Sequence, residues 1–182
     1  MRVRLDTSAG PIVVAVDTVH APVTACNFLR YVRAGSYDGG SFYRTVRAGR
    51  AHGNANPIDV VQAGAAGGEK FDAYGPIPLE RTSVTGLHHT AGAISMARDG
   101  PDTATSSFFI VVKDSLSLDD GGHRNPDGQG FAAFGHVVSG MGALRKIQMG
   151  AAGEDEHLTP PFAIRSAKVV GGGPDGCAGA RR

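Results

Sequence analysis

The chain has 182 residues, a net charge of +1, 27 glycines, two cysteines and no tryptophan. That length suits one domain with a substantial core, and the even charge balance argues against a nucleic-acid surface or an acidic solvating tail. No apolar run is long enough to span a membrane or to serve as a signal peptide, so the chain as written is expected in the cytoplasm, or in the periplasm if a signal peptide has been removed.

In chain order, Val3 and Leu5, then Ile12, Val14 and Val16, alternate around Ser8-Ala9-Gly10-Pro11, the signature of a β-hairpin with a glycine turn. Residues 21–34 read as a helix. Pro22 sits in its first turn, where a missing N–H costs little, and Gly35 follows its end. Val23, Cys26, Leu29, Tyr31 and Val32 are expected to form one broad apolar face. Strand signals follow at 41–46, 59–63, 91–97, 108–112, 131–138 and 164–170, with a second helix at 141–148. Many short strands and two helices predict a mainly β architecture, an antiparallel barrel closed so that no edge stays open. Residues 47–57 form a polar loop. Residues 171–182 are glycine-rich and expected to be disordered, which leaves 1–170 as the domain. Cys26 falls in the first helix and Cys177 in this tail, so no structural disulfide is expected, and no Cys-x-x-Cys spacing is present.

Three blocks carry chemistry. Gly92–Ile110 reads as an apolar strand, a polar Gly-Pro loop, then a second strand opening on Phe108-Phe109. Phe42-Tyr43-Arg44 sets an arginine in an otherwise apolar strand, where simple alternation would give Phe42, Arg44 and Val46 a common face. The third block runs from Phe131 to Met141. In this order the blocks resemble the cyclophilin family of peptidyl-prolyl cis-trans isomerases, over most of residues 2–170. The resemblance implies a closed eight-stranded antiparallel β-barrel capped by two α-helices. It further implies a cofactor-independent isomerase acting on X-Pro bonds, with proline-containing peptides or folding proteins as partners, as a monomer.

The resemblance also implies a site. Phe-Tyr-Arg after Tyr37-Asp38-Gly39 places Arg44 on the family's catalytic arginine. Arginine suits that role because it stays charged and offers several donors in a rigid plane. Gln62, within Val60–Gly64, is similar to the family glutamine that bonds the substrate backbone and helps place the arginine. Val60 stands where a methionine usually lines the proline pocket. Phe109 and Leu118 match pocket residues, and Phe131 falls where the family often has histidine. Ala97 and Arg98 correspond to the pair whose main chain holds the peptide, and Ser107 replaces a glutamine. Phe108 is expected to point the opposite way, into the core.

The match departs from the family pattern at 47–61. Arg44 and Gln62 are separated by a longer segment than usual, and Asp59 falls where an apolar pocket residue is expected. Ser117 replaces the Trp or Phe the family often carries, which implies weak cyclosporin binding. These departures keep open a second reading, a non-catalytic proline-peptide binding or chaperone-like module on the same fold, although the intact Arg44 favours the enzyme. Other signals are set aside. His88 and His89 are adjacent, so in a strand they would point apart and not chelate together. A calcium-like run at 125–128 has His123 and Phe134 where carboxylates are needed. Glu154-Asp155-Glu156 reads as a solvated loop, and no metal site is expected.

Overall fold

A computed structural model of the protein describes residues 1–50, 55–172 and 176–177. Residues 51–54 of the polar loop, and 173–175 and 178–182 of the glycine-rich end, lie outside the described residues.

The hairpin forms as the alternation dictates. β1 (Arg2–Thr7) pairs with β2 (Gly10–Val16), Val3 opposite Val14 and Leu5 opposite Ile12. Gly10 closes the turn at φ 126°, a region glycine enters freely and side-chain-bearing residues do not. α1 (Pro22–Arg33) follows, then β3 (Ser41–Val46), β4 (Asp59–Gly64), a four-residue α2 (Thr82–Thr85), β5 (Ala93–Met96), β6 (Phe108–Lys113), β7 (Ala133–Ser139), α3 (Met141–Gln148) and β8 (His157–Gly171). The strands close into a barrel in the order β1-β2-β7-β5-β6-β4-β3-β8, and the paired neighbours are antiparallel. β8 starts seven residues before the predicted strand, and its added length lets it pair with both β1 and β3.

Inward side chains fill the barrel. Phe28 of α1 meets Phe108 of β6, Phe134 of β7 and Tyr37 at ring-centroid distances of 5.2–5.4 Å. Tyr37 is wholly buried, and its hydroxyl donates to the Ser106 carbonyl at 2.6 Å. α3 adds Leu144 and Ile147 to the same core. The expected face of α1 needs correction. Thr24, Ala25 and Phe28 are buried with Leu29, Tyr31 and Val32, whereas Val23 and Cys26 are only half-buried.

Cys26 also has a covalent partner. It forms a disulfide with Cys177, across 151 residues of sequence and with Cα atoms 5.5 Å apart. This overturns the expectation that no structural disulfide forms. Neither residue carries a local sequence signal for the pairing. It exists because closing the barrel returns the end of β8 to α1.

Alternation along the strands separates two apolar clusters. On β4, Val61 and Ala63 face the barrel interior, while Val60 belongs to a second cluster outside it. On β6, Phe108 and Ile110 face in and Phe109 and Val111 face out, so Phe108 is core as expected. On β3 the register shifts between Phe42 and Arg44 against both neighbouring strands: against β4 Tyr43 is the extra residue, and against β8 the extra residues, 158–161, lie on β8. Such a bulge re-aims the side chain that follows it. Phe42 therefore faces the core beside Phe108, while Arg44 and Val46 face outward. The expectation that Phe42 and Arg44 share a face fails for this reason.

Candidate active site

The outer cluster joins Val46, Ile58, Val60, Ala93, Phe109, Val111 and Leu118, flanked by Ala97 and Phe131, and all of these except Ala93 and Val111 form the apolar floor of a cavity of about 720 Å³. All nine residues named from the sequence line this cavity: Arg44, Gln62, Val60, Ala97, Arg98, Ser107, Phe109, Leu118 and Phe131. Phe109 and Phe131 meet edge to face, with centroids 5.3 Å apart at 88°, a favoured aromatic geometry.

Arg44 stands at the border of this apolar floor. It is the cross-strand partner of Gln62, and its Nη1 donates to Gln62 Oε1 at 3.2 Å. Gln62 Nε2 in turn donates to the Tyr43 hydroxyl at 2.7 Å. The bulge thus leaves Tyr43 and Arg44 both at the pocket, one bonded to each end of the same amide. Burial raises the Tyr43 hydroxyl above its ordinary value and keeps it neutral.

Asp59 does not enter the pocket. Its carboxylate accepts from Gln148 Nε2 at 2.8 Å and faces α3. Ile58, one residue earlier, supplies the apolar wall. The polar segment also reaches a second loop: Asn56 donates to the His123 carbonyl at 3.0 Å and accepts from Arg124 Nη1 at 3.2 Å.

The main chain at Ala97 is partly committed, since its N–H donates to the Ser107 carbonyl. A peptide can be gripped at Ala97 only through the carbonyl. Ser107 lines the cavity, and its hydroxyl donates to the Glu69 carbonyl at 2.7 Å. The Arg98 side chain is engaged as well as its main chain. It is 1% exposed, forks onto both oxygens of Asp127 at 2.7 and 2.9 Å, donates to the Gly130 carbonyl and lies 5.1 Å over the Phe131 ring. Its hydrogen bonds hold the Asp127 carboxyl at about 2. Gly130 is required here: its φ is 62°, and a Cβ would lie 2.5 Å from the Asp119 carbonyl carbon.

Behind Phe109 lies a buried polar chain. The His89 ring stacks on Phe109 at 5.9 Å, its Nδ1 bonds Asp119 Oδ1 at 2.6 Å and its Nε2 bonds Ser95 Oγ at 2.9 Å. His88 bonds the other Asp119 oxygen at 2.7 Å. The two histidines lie in a loop, not a strand, so they converge on one carboxylate instead of pointing apart. Burial pushes Asp119 up, but the hydrogen bonds from His89 and His88 outweigh it and hold the carboxyl below its usual range.

At the rim, His157 bonds Glu69 at 3.0 Å and stacks on Tyr43. Glu156 is no solvated loop residue. Its carboxylate accepts from Arg44 Nε at 3.1 Å and Nη2 at 2.5 Å. Glu156, Tyr43, Ile58 and Asp127 escape a local reading because each acts through a partner set by the fold.

Comparison with known proteins agrees with this geometry. The family model "Cyclophilin type peptidyl-prolyl cis-trans isomerase/CLD" matches residues 2–169. A peptidyl-prolyl cis-trans isomerase of Streptomyces antibioticus is 34% identical over 174 residues, 93% of this chain and 98% of that protein. Isomerase A of Dickeya dadantii is 38% identical over 177 residues, 92% of this chain and 84% of that one. A Cryptosporidium parvum cyclophilin-type isomerase, solved in the presence of the dipeptide Ala-Pro, shares the fold. Its TM-score is 0.73 at 19% identity, with 94% of this chain and all of that chain covered. The chain belongs to the cyclophilin-type peptidyl-prolyl cis-trans isomerases.

Proposed function

We propose that this isomerase turns X-Pro bonds with Arg44 as its catalytic cation and the outer apolar cluster as its proline pocket. Rotation about the bond must break amide resonance over roughly 18–20 kcal/mol, with no covalent bond made and no proton moved. The imide nitrogen gains an available lone pair only as resonance is lost. A guanidinium N–H aimed at that nitrogen therefore binds the twisted amide better than the planar one, which is the condition for acceleration. The pocket holds the ring while the other side of the bond turns. A 10⁵-fold acceleration asks about 7 kcal/mol of the two devices together.

In this reading Arg44 polarises the nitrogen and Gln62 orients Arg44. Val60, Phe109, Leu118 and Phe131 hold the ring, and the main chain at Ala97 and Arg98 grips the peptide. The carrying observation is the bonded Arg44–Gln62 pair at the border of that apolar floor. Clients would be unfolded or folding chains with exposed prolines. The isomerase would act as a monomer, and the Cys26–Cys177 disulfide supports an oxidising compartment such as the periplasm.

Isomerisation of a short X-Pro peptide by the wild type and by Arg44→Ala tests the mechanism. The variant should fold and lose about 10²–10³-fold in turnover, the usual effect of removing a transition-state donor. A wild type that binds the peptide without turning it over would favour the binding-module reading.

A further inference from the structure

Arg44 is gripped from a side that its sequence motif does not explain. Glu156 lies 112 residues further along, in the turn leading into β8, and a single carboxylate oxygen accepts from both Arg44 Nε and Nη2. Glu69, Asp72, Asp99 and Asp155 line the cavity and Glu156 does not, yet among the described residues Glu156 is the acid hydrogen-bonded to Arg44.

The turn is built around this contact. Glu156 has φ 66°, a left-handed conformation uncommon for a residue with a side chain. Its N–H donates to the Gly153 carbonyl, and its carbonyl accepts from Thr45, the residue after Arg44. An unfavourable backbone conformation persists only where its surroundings impose it, and such positions concentrate at functional sites. Here it falls on the residue whose side chain reaches the catalytic cation.

Counting donors shows what the contact does. A guanidinium carries five N–H groups. Glu156 engages the one on Nε and one on Nη2, and Gln62 engages one on Nη1. One N–H on each terminal nitrogen remains for the cavity. With both flanks held, the guanidinium plane is fixed before substrate arrives, so no reorientation is needed as the amide twists. Arg124 also attracts Glu156, and Arg44 repels Arg124.

We propose that Glu156 is a positioning residue for Arg44, which resists rotation of the guanidinium and presents its two remaining N–H groups to the imide nitrogen. This rests on Arg44 being the catalytic cation. The test compares wild type, Glu156→Gln and Glu156→Ala, all checked by thermal melting. Glutamine keeps an acceptor oxygen without the charge, so Glu156→Gln should hold kcat within about threefold, whereas Glu156→Ala should lose about tenfold or more in kcat with KM little changed. Glu156→Ala at or above wild-type kcat overturns the proposal, because the carboxylate would then be a brake or a bystander. The Arg44 Nε–H signal in ¹H–¹⁵N NMR, assigned by its loss in Arg44→Lys, reports placement independently of turnover. It should be slowly exchanging in wild type and Glu156→Gln and lost in Glu156→Ala, and its survival in Glu156→Ala also overturns the proposal. A held Arg44 signal in a wild type that turns nothing over overturns instead the catalytic reading of Arg44, and the proposal with it.

Discussion

Arg44 and Gln62 face each other across β3 and β4, Nη1 to Oε1 at 3.2 Å, even though a polar segment intervenes between them in sequence. The longer connection leaves the pairing unchanged, because the register is set by side chains on both strands. Val46 opposite Val60 and Phe42 opposite Ala63 hold the ladder on either side of the pair. The departure that most clouds the sequence comparison therefore leaves the Arg44–Gln62 pairing intact.

Charge alone should not suffice at position 44. Lysine keeps the charge but offers a point donor without the planar fork, so it cannot bond Gln62, Glu156 and substrate in one plane. Arg44→Lys is expected to fall within about tenfold of Arg44→Ala in kcat/KM, a loss of donors more than of charge. Near-wild-type turnover by the lysine variant would show that position 44 acts through its field alone.

The adjacent phenylalanines should separate fold from function. Phe108 is fully buried among Phe28, Tyr37 and Phe42, and Phe108→Ala should cost about 3–5 kcal/mol of stability. Phe109 borders the open cavity, so Phe109→Ala should cost less stability and chiefly raise KM for proline peptides. Urea unfolding of the two variants beside their kinetics provides the check. Equal destabilisation would mean that the outer cluster supports the fold as much as the inner one.

The Arg98 clamp predicts a similar split. Asp127→Ala frees one end of the loop that carries Phe131, and should raise KM with little change in kcat. Arg98→Ala also strips the Gly130 carbonyl of its donors, which should cost about 1–3 kcal/mol for a buried acceptor left unpaired. Melting temperatures in the order wild type, Asp127→Ala, Arg98→Ala are expected.

The rim should respond to pH. Glu69 raises His157 above its ordinary value of 6.5, helped by a main-chain bond to Asp155 and opposed by slight burial. A raised group gives its stability in full below the unfolded value and loses it as pH climbs through the folded value. The Glu69–His157 contact is thus expected to hold at mildly acid pH and to loosen on the alkaline side. NMR titration of His157 should give a value above 6.5 that drops in Glu69→Gln; no change in that variant would locate the cause elsewhere.

What the sequence makes legible here is local. Alternation in Val3–Leu5 and Ile12–Val16 suffices to place a hairpin, and Pro22 with Gly35 suffices to bracket α1. The pocket residues are legible because motif and strand lie together, as in Val60–Gln62 and Phe108–Phe109. The exceptions share one cause: each depends on a residue distant in sequence. Tyr43 becomes a bulge only against β4, and this bulge parts Arg44 from Phe42. Asp59 turns away from the pocket because Gln148 of α3 offers it a donor. Glu156 meets Arg44, and Cys177 meets Cys26, only once the barrel has closed.

The Cys26–Cys177 bond turns most of the polypeptide into a covalent ring. A single cut anywhere between these residues, including in the polar segment between β3 and β4, would leave both pieces tethered. A nicked molecule should therefore migrate as one band on a non-reducing gel and as two after reduction. The barrel's own hydrogen bonding would then decide whether it survives such a cut, because the fragments could not diffuse apart.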